Sequence, residues 1–190
     1  MEKTLDNKYS IIVNKNKKYN PNDYKCFKYI ETTSTDGRNI LIEYVTNMQF
    51  NKLKEEMNTY GIKIGIKHAL RDEQEQHNLY KQFREKYGSE YADKIVCPVG
   101  TSEHHTGLAI DVEVMVDNKW VSNNDNIEIS EPILRKMHPY LAKYGFILRY
   151  PKEKESITGI VYEPWHIRYV GTELAEYLNK NNLVLDEYVD

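Results

Sequence analysis

Cysteine is nearly absent: Cys26 and Cys97 are the only two in 190 residues. Two thiols build no disulfide framework and are too few for a thiolate zinc site. Both are expected to be plain buried or half-buried residues. Long apolar runs are missing too, and none approaches the roughly 20 residues that cross a bilayer. Residues 1–7 are polar and lack the apolar stretch of a signal peptide. This predicts a cytoplasmic protein, or a cell-surface one if a targeting segment has been removed. Charge of one sign is also lacking. Lys and Arg number 26 against 29 Asp and Glu, a net charge of -3, and the lysines are interleaved with acids. No basic face results, so nucleic acid is not an expected partner. There are no internal repeats and no clear linker. What remains is 40% hydrophobic and 29% charged, an ordinary globular composition, and its length predicts a single domain over residues 1–190.

Hydrophobic spacing gives a coarse outline. Residues 9–14 read as a short strand, followed by an Asn/Lys/Pro-rich loop through Pro21 and Asn22. Thr35-Asp36-Gly37-Arg38 is a turn signal before a strand at Ile40-Leu41-Ile42. Thr46 is a candidate cap for a helix with Met48, Phe50, Leu53 and Met57 on one face, ended by Gly61. Ile62, Ile64 and Ile66 alternate with Lys63, Gly65 and Lys67 as in a half-buried strand. Asp72 is placed to cap a second helix that carries Leu79, Tyr80 and Phe83 and stops near Gly88. A strand is expected over Leu108-Ala109-Ile110-Asp111-Val112 and Val114, then a polar surface excursion over 118–130. A helix over 131–143 ends at Gly145, where a C-cap glycine belongs. Strands are expected at 146–150, stopped by Pro151, and around 160–162 and 166–169. Thr172 opens a final helix through Leu178. Helices and strands alternate irregularly, which predicts an α+β fold: a small antiparallel sheet with helices beside it.

Two segments carry chemistry: Ser102-Glu103-His104-His105-Thr106-Gly107-Leu108-Ala109-Ile110-Asp111 and Glu163-Pro164-Trp165-His166. Together they offer two imidazoles, a carboxylate and a separate glutamate. That is the donor set of a catalytic zinc site, with three protein ligands, an open position for water and a base beside it. His104 would lie on a loop and Asp111 on the strand that follows, with Gly107 allowing a tight turn between them. Ala109, on the strand face of Asp111, leaves room beside an ion. Asp111 sits in an otherwise apolar strand, where a carboxylate is costly unless paired or metal-bound. His166 supplies the third ligand and Glu163 a base three positions earlier. Read alone, each motif also fits a bland alternative. The first fits a buried aspartate held by backbone amides, and the second a core Trp–His pair with an exposed glutamate. His105 should point to the other side of an extended backbone and serve the rim or the support of the site. His68, His77 and His138 have no partner pattern and are expected at the surface or in packing. Arg71, at a strand-to-helix junction with Gln76 beyond it, fits a carboxylate clamp or an ordinary surface ion pair.

The pattern Ser-x-His-x-x-Gly-x-Ala-x-Asp at Ser102, His104, Gly107, Ala109 and Asp111, with Glu-x-Trp-His at Glu163, Trp165 and His166, resembles the VanY/LdcB-like D-alanyl-D-alanine carboxypeptidases. The flanks at 144–151, 157–159, 168–171 and 12–15 resemble that family as well. The resemblance implies an α+β domain with one Zn2+ per chain at the sheet, held by His104, Asp111 and His166. It implies Glu163 as general base, with Arg71, Gln76 and Ser102 on the terminal carboxylate of the substrate. Tyr150 and Trp165 would line the site. Leu70-Arg71-Asp72 departs from the family's usual Tyr-Arg-Ser/Thr and sets a negative charge beside the clamp, unless capping turns Asp72 away. Residues 115–130 match nothing in the family and are placed to influence substrate choice.

The length and polar start resemble the VanXY-type members of vancomycin-resistance systems, which act on D-Ala-D-Ala and on the pentapeptide precursor. The expected function is therefore a zinc D,D-peptidase. It would act on peptidoglycan precursor peptides ending in D-Ala-D-Ala, as carboxypeptidase and as D,D-dipeptidase. The alternatives are an L,D-carboxypeptidase acting on tetrapeptide stems, or a non-catalytic module that binds cell-wall peptides.

Overall fold

The structure, a computed structural model, describes residues 8–121 and 126–189. Five antiparallel strands form the main sheet: β3 (Ile64–His68), β4 (Ala109–Val116), β5 (Lys119–Val121), β6 (Phe146–Leu148) and β7 (His166–Tyr169). The order is β3-β4-β7-β6, with β5 also paired to β4. A separate hairpin joins β1 (Tyr29–Thr33) to β2 (Asn39–Glu43) across the expected Thr35–Arg38 turn. Around these pack α1 (Tyr44–Thr59), α2 (Glu73–Tyr87), α3 (Ser89–Ile95), α4 (Ile127–Met137), α5 (Glu155–Thr158), α6 (Thr172–Asn181) and α7 (Leu185–Val189). The fold class is the expected α+β. No helix among the described residues is long and apolar enough to cross a membrane.

Period-two alternation divides the sheet. Ile64 and Ile66 of β3, Ile110, Val112 and Val114 of β4, and Ile167 and Tyr169 of β7 face one side. There they meet Phe50, Leu53 and Met57 of α1 and Leu134 and Met137 of α4 in the main core. The opposite side carries the polar residues of the same strands. A second cluster packs Ile12 and Ile147 against Val170 and against Leu174, Ala175, Leu178 and Leu185 of the C-terminal helices.

Several local expectations are corrected. Residues 9–14 form no strand; a 3-10 turn at Lys8–Ser10 leads into irregular backbone, and Pro21–Tyr24 is another such turn. The cap of α1 is Glu43, not Thr46: its carboxylate accepts from the Thr46 N–H at 2.8 Å, so Thr46 lies inside the first turn. Met48 of that helix is exposed rather than on its buried face. Within the excursion expected at 118–130, Lys119–Val121 pairs with β4 and α4 begins at Ile127; residues 122–125 lie outside the described residues. The helix expected over 131–143 is α4 followed by two 3-10 turns. Residues 160–162 are irregular, and α7 follows the helix expected to be last. Asp72 does cap α2, in a reciprocal box with Glu75 that turns its charge into the helix. Cys26 is exposed rather than buried; Cys97 is half-buried, and burial pushes its thiol up to about 12.

Candidate active site

Register builds the site. Asp111 of β4 lies opposite His166 of β7. On its other side β3 is irregular between Ile66 and His68, and this shift sets His68, rather than Lys67, opposite Asp111. Such bulges commonly re-aim side chains beside active sites. Histidine, aspartate and histidine thus line up across three strands on the polar face. His104 comes from the 3-10 turn Glu103–Thr106 that feeds β4. Ser102 starts that turn, accepting from the His104 N–H at 3.3 Å, and Gly107 ends it in the left-handed region at φ 68°. A Cβ at Gly107 would stand 2.8 Å from the Tyr29 ring, so the turn needs glycine for space as well as conformation.

The protons can be assigned from partners. A carbonyl only accepts, so the His104 Nδ1–H donates to Ala69 O at 2.7 Å and Nε2 keeps its lone pair. That Nε2 lies 3.3 Å from Asp111 Oδ2, and His166 Nδ1 lies 3.3 Å from Asp111 Oδ1. Donors bound at about 2.0–2.1 Å to a tetrahedral ion lie about 3.3 Å from one another. The donor atoms of His104, Asp111 and His166 all fall within 4.8 Å of each other. Asp111 Oδ1 is buried and has no hydrogen-bond partner. An oxygen left bare inside a protein calls for a ligand, and this nitrogen–oxygen set suits zinc. The residues present therefore fit one zinc ion.

Electrostatics reflect the crowding of these groups. Burial pushes His104 down to about 4. Burial also opposes a charge on Asp111, but His104 and the other imidazoles outweigh it and hold the carboxyl well below the usual carboxylate range. For His166 burial is outweighed by the Asp111 and Glu103 carboxylates beside it, which raise it to about 9. Glu163 Oε2 stands 3.4 Å from His166 Nδ1. Burial pushes the Glu163 carboxyl up to about 8; His166 and Arg71 oppose this and Asp111 adds to it. Its turn is pinned at both ends. Glu163 N–H donates to Tyr150 O, and the His138 imidazole meets Pro164 O at 2.8 Å.

Arg71 ends the strand-to-helix junction as expected. It donates to Gln76 Oε1 at 3.0 Å and approaches Asp111 Oδ2 at 3.5 Å, while Gln76 Nε2 donates to Cys97 O at 2.6 Å. His105 points away from the imidazole pair. Its Nδ1–H meets Arg71 O at 2.8 Å and its Nε2 accepts from the Gly100 N–H. Ser102, Tyr150, Trp165, Arg71 and Gln76 all line one cavity of about 100 Å³ with His104, Asp111, Glu163 and His166. Leu79, Phe83, Ile95, Val96 and Ile160 form its apolar side. The structure thus brings every expected site residue together.

Residues outside the expectation also belong here. His68 lines the cavity, its Nδ1 3.2 Å from Asp111 Oδ2. Strand alternation from Ile62 would have sent it into the core, and only the bulge turns it round. His138, expected at the surface or in packing, takes the packing role and supports the Glu163 turn. Glu103, Arg149 and Arg168 form a fully buried ion cluster behind His166. Its signal in the sequence was an arginine inside each of two apolar strand segments, since a buried guanidinium demands a partner.

The chain is similar to known proteins over most of its length. The profile of the family described as VanY, D-alanyl-D-alanine carboxypeptidase, matches residues 39–172. A D-alanyl-D-alanine carboxypeptidase of Enterococcus faecium is 37% identical over 159 residues, covering 77% of this chain and 44% of the relative. The chain spans between 34% and 66% of the length of the curated relatives it matches. Among solved structures, a mutant of the D,D-pentapeptidase VanY from a VanB-type vancomycin-resistance cassette, in complex with Zn(II), superposes with a TM-score of 0.80. It is 24% identical, and the match covers 96% of this chain and 99% of that one. The L,D-carboxypeptidase DacB of Streptococcus pneumoniae is 34% identical with a TM-score of 0.64, covering 76% of this chain and 74% of its own. This chain belongs to the VanY D-alanyl-D-alanine carboxypeptidase family.

Proposed function

We propose that this chain is a zinc-dependent peptidase that removes the C-terminal D-Ala of peptidoglycan precursor peptides ending in D-Ala-D-Ala. One observation carries the reading. The donor atoms of His104, Asp111 and His166 converge within 4.8 Å, with a buried glutamate 3.4 Å from one of them. A single Zn2+ at this triad would supply a Lewis acid for the scissile carbonyl and acidify the attacking water. The remaining chemistry belongs to the chain. Glu163, whose carboxyl burial holds far above its ordinary range, takes the proton of that water on Oε2. It then returns the proton to the nitrogen of the departing D-Ala.

Arg71 holds the free carboxylate of the substrate, which limits cleavage to the chain end. Gln76, fixed by the Cys97 carbonyl, aims the guanidinium, and Ser102 adds a hydroxyl. Trp165 and Tyr150 wall the cavity, and its apolar side and small volume suit a methyl side chain. The proposal includes the free D-Ala-D-Ala dipeptide, which offers the same carboxylate and methyl groups. Acting on both substrates would clear D-Ala-D-Ala-ended precursors and fits a role in vancomycin resistance. A second reading, an L,D-carboxypeptidase acting on tetrapeptide stems, is favoured by the 34% identity to DacB. The zinc chemistry is common to both, and the readings differ in the configuration accepted at the penultimate residue.

The test is Glu163→Ala. Zinc content should stay at one ion per chain while turnover falls by about 100-fold or more, the usual contribution of a positioned acid–base group. Wild-type turnover in this variant would contradict the mechanism.

A further inference from the structure

Behind His166, away from the cavity, lies a charge cluster that the proposed reaction does not use. Glu103 is 1% exposed, and Arg149 and Arg168 are 0% exposed. Both guanidinium groups donate to the same carboxylate oxygen: Arg149 Nε to Oε1 at 2.7 Å and Arg168 Nη1 to Oε1 at 2.9 Å. Burial opposes the charge on Glu103, but Arg149 and Arg168 outweigh it and hold the carboxyl far below its ordinary range. The second oxygen, Oε2, is buried with no hydrogen-bond partner, and so is His166 Nε2. These two bare atoms face each other at 3.6 Å. A normal N–H···O bond needs about 2.7–3.2 Å, so a shift of under about 1 Å joins them.

We propose that Glu103 is a positioning residue for the metal centre. Its Oε2 accepts the His166 Nε2–H, which fixes the ring as the tautomer that turns the Nδ1 lone pair toward the ion. The inference rests on the reading of His104, Asp111 and His166 as metal ligands. A carboxylate in this place fixes ring orientation and strengthens the imidazole as a donor. Glu103 is itself held rigidly. Arg149 also pairs with Asp186 of α7, and Arg168 Nη2 donates to the Tyr9 and Ile11 carbonyls. The ring of a ligand on β7 is thereby anchored, through one carboxylate, to segments near both ends of the described chain. His104 is oriented differently, by the Ala69 carbonyl. The two ligand rings therefore respond to different substitutions.

The experiment compares the full chain with Glu103→Gln, which keeps the shape but not the charge. Zinc affinity is measured by competition with a chromophoric chelator, alongside the visible spectrum of the Co2+ form. The expected result is a 10–100-fold weaker zinc affinity with an altered Co2+ spectrum. Affinity within twofold of wild type and an unchanged spectrum would overturn the proposal. Loss of the charge leaves two buried guanidinium groups short of a partner. If the variant does not fold, the wild type decides. In histidine-15N-labelled protein loaded with 113Cd2+, coupling should run through His166 Nδ1, with a slowly exchanging proton on Nε2. Coupling through His166 Nε2, or a rapidly exchanging proton there, would overturn the assignment while leaving the metal site intact. A wild-type protein that takes up no zinc would overturn the metal reading itself, and this inference with it.

Discussion

Glu163 and His166 are buried beside the half-buried Asp111, and each of the two is shifted by its neighbours. His166 holds its proton up to about 9, because the Asp111 and Glu103 carboxylates outweigh its burial. An incoming ion competes with that proton for the ring. The sign follows directly: below about pH 9 the proton is present and must leave, so zinc affinity should rise as pH rises from 7 toward 9. It should then flatten once the ring is neutral. Chelator competition at a series of pH values, with proton release measured on loading, checks this. A flat affinity between pH 7 and 9 would contradict it. Arg71 gives a second prediction. Its guanidinium is aimed by Gln76 in a geometry that an ammonium cannot copy. Arg71→Lys should therefore lose about 10- to 100-fold in kcat/KM, equivalent to roughly 1.5–3 kcal/mol for a hydrogen bond to a charged group. An effect under twofold would remove Arg71 from the carboxylate pocket.

Elements set these residues in place, and their legibility in the sequence varied with the physics that fixes each one. Long periodic segments such as α1 and β4 were readable, because burial on one face imposes a repeat. Local hydrogen bonds were less readable. The α1 cap is Glu43, with Thr46 bonded back to it, because the last residue of β2 already sits where its carboxylate reaches the first turn. The bulge in β3 was invisible, since nothing in Ile66-Lys67-His68 marks an extra residue, and with it the place of His68 opposite Asp111. Residues 9–14 hold a short apolar run like that of a strand, yet Ile12 and Val13 bury in two different small clusters rather than along a sheet edge. The turn at Gly107 offers the test at this scale. Ala there would need a positive φ and would meet the Tyr29 ring and the Glu43 N–H. Gly107→Ala should destabilise the zinc-free protein by about 1–3 kcal/mol in urea titration and weaken zinc binding through His104. A stability change below about 0.5 kcal/mol would show that the turn tolerates a side chain.

At the scale of the molecule, one sheet separates two tasks. Its apolar face packs on α1 and α4, and its polar face carries the candidate site, with the Glu103–Arg149–Arg168 cluster behind it. The convergence of His104, Asp111, His166 and Glu163 was legible because two compact motifs hold them. The buried cluster was not, because its members come from three separate segments and meet only once β6, β7 and the turn before β4 are assembled. The central claim joins the triad to peptide hydrolysis, and D-Ala release tests it most directly. Release would be measured from D-Ala-D-Ala, from a pentapeptide precursor and from a tetrapeptide, with and without chelator, then after zinc is restored. The expected result is release from the dipeptide and the pentapeptide that stops with chelator and returns with zinc. Release from the tetrapeptide alone would move the substrate to the L,D class, and release that chelator leaves unchanged would contradict the account.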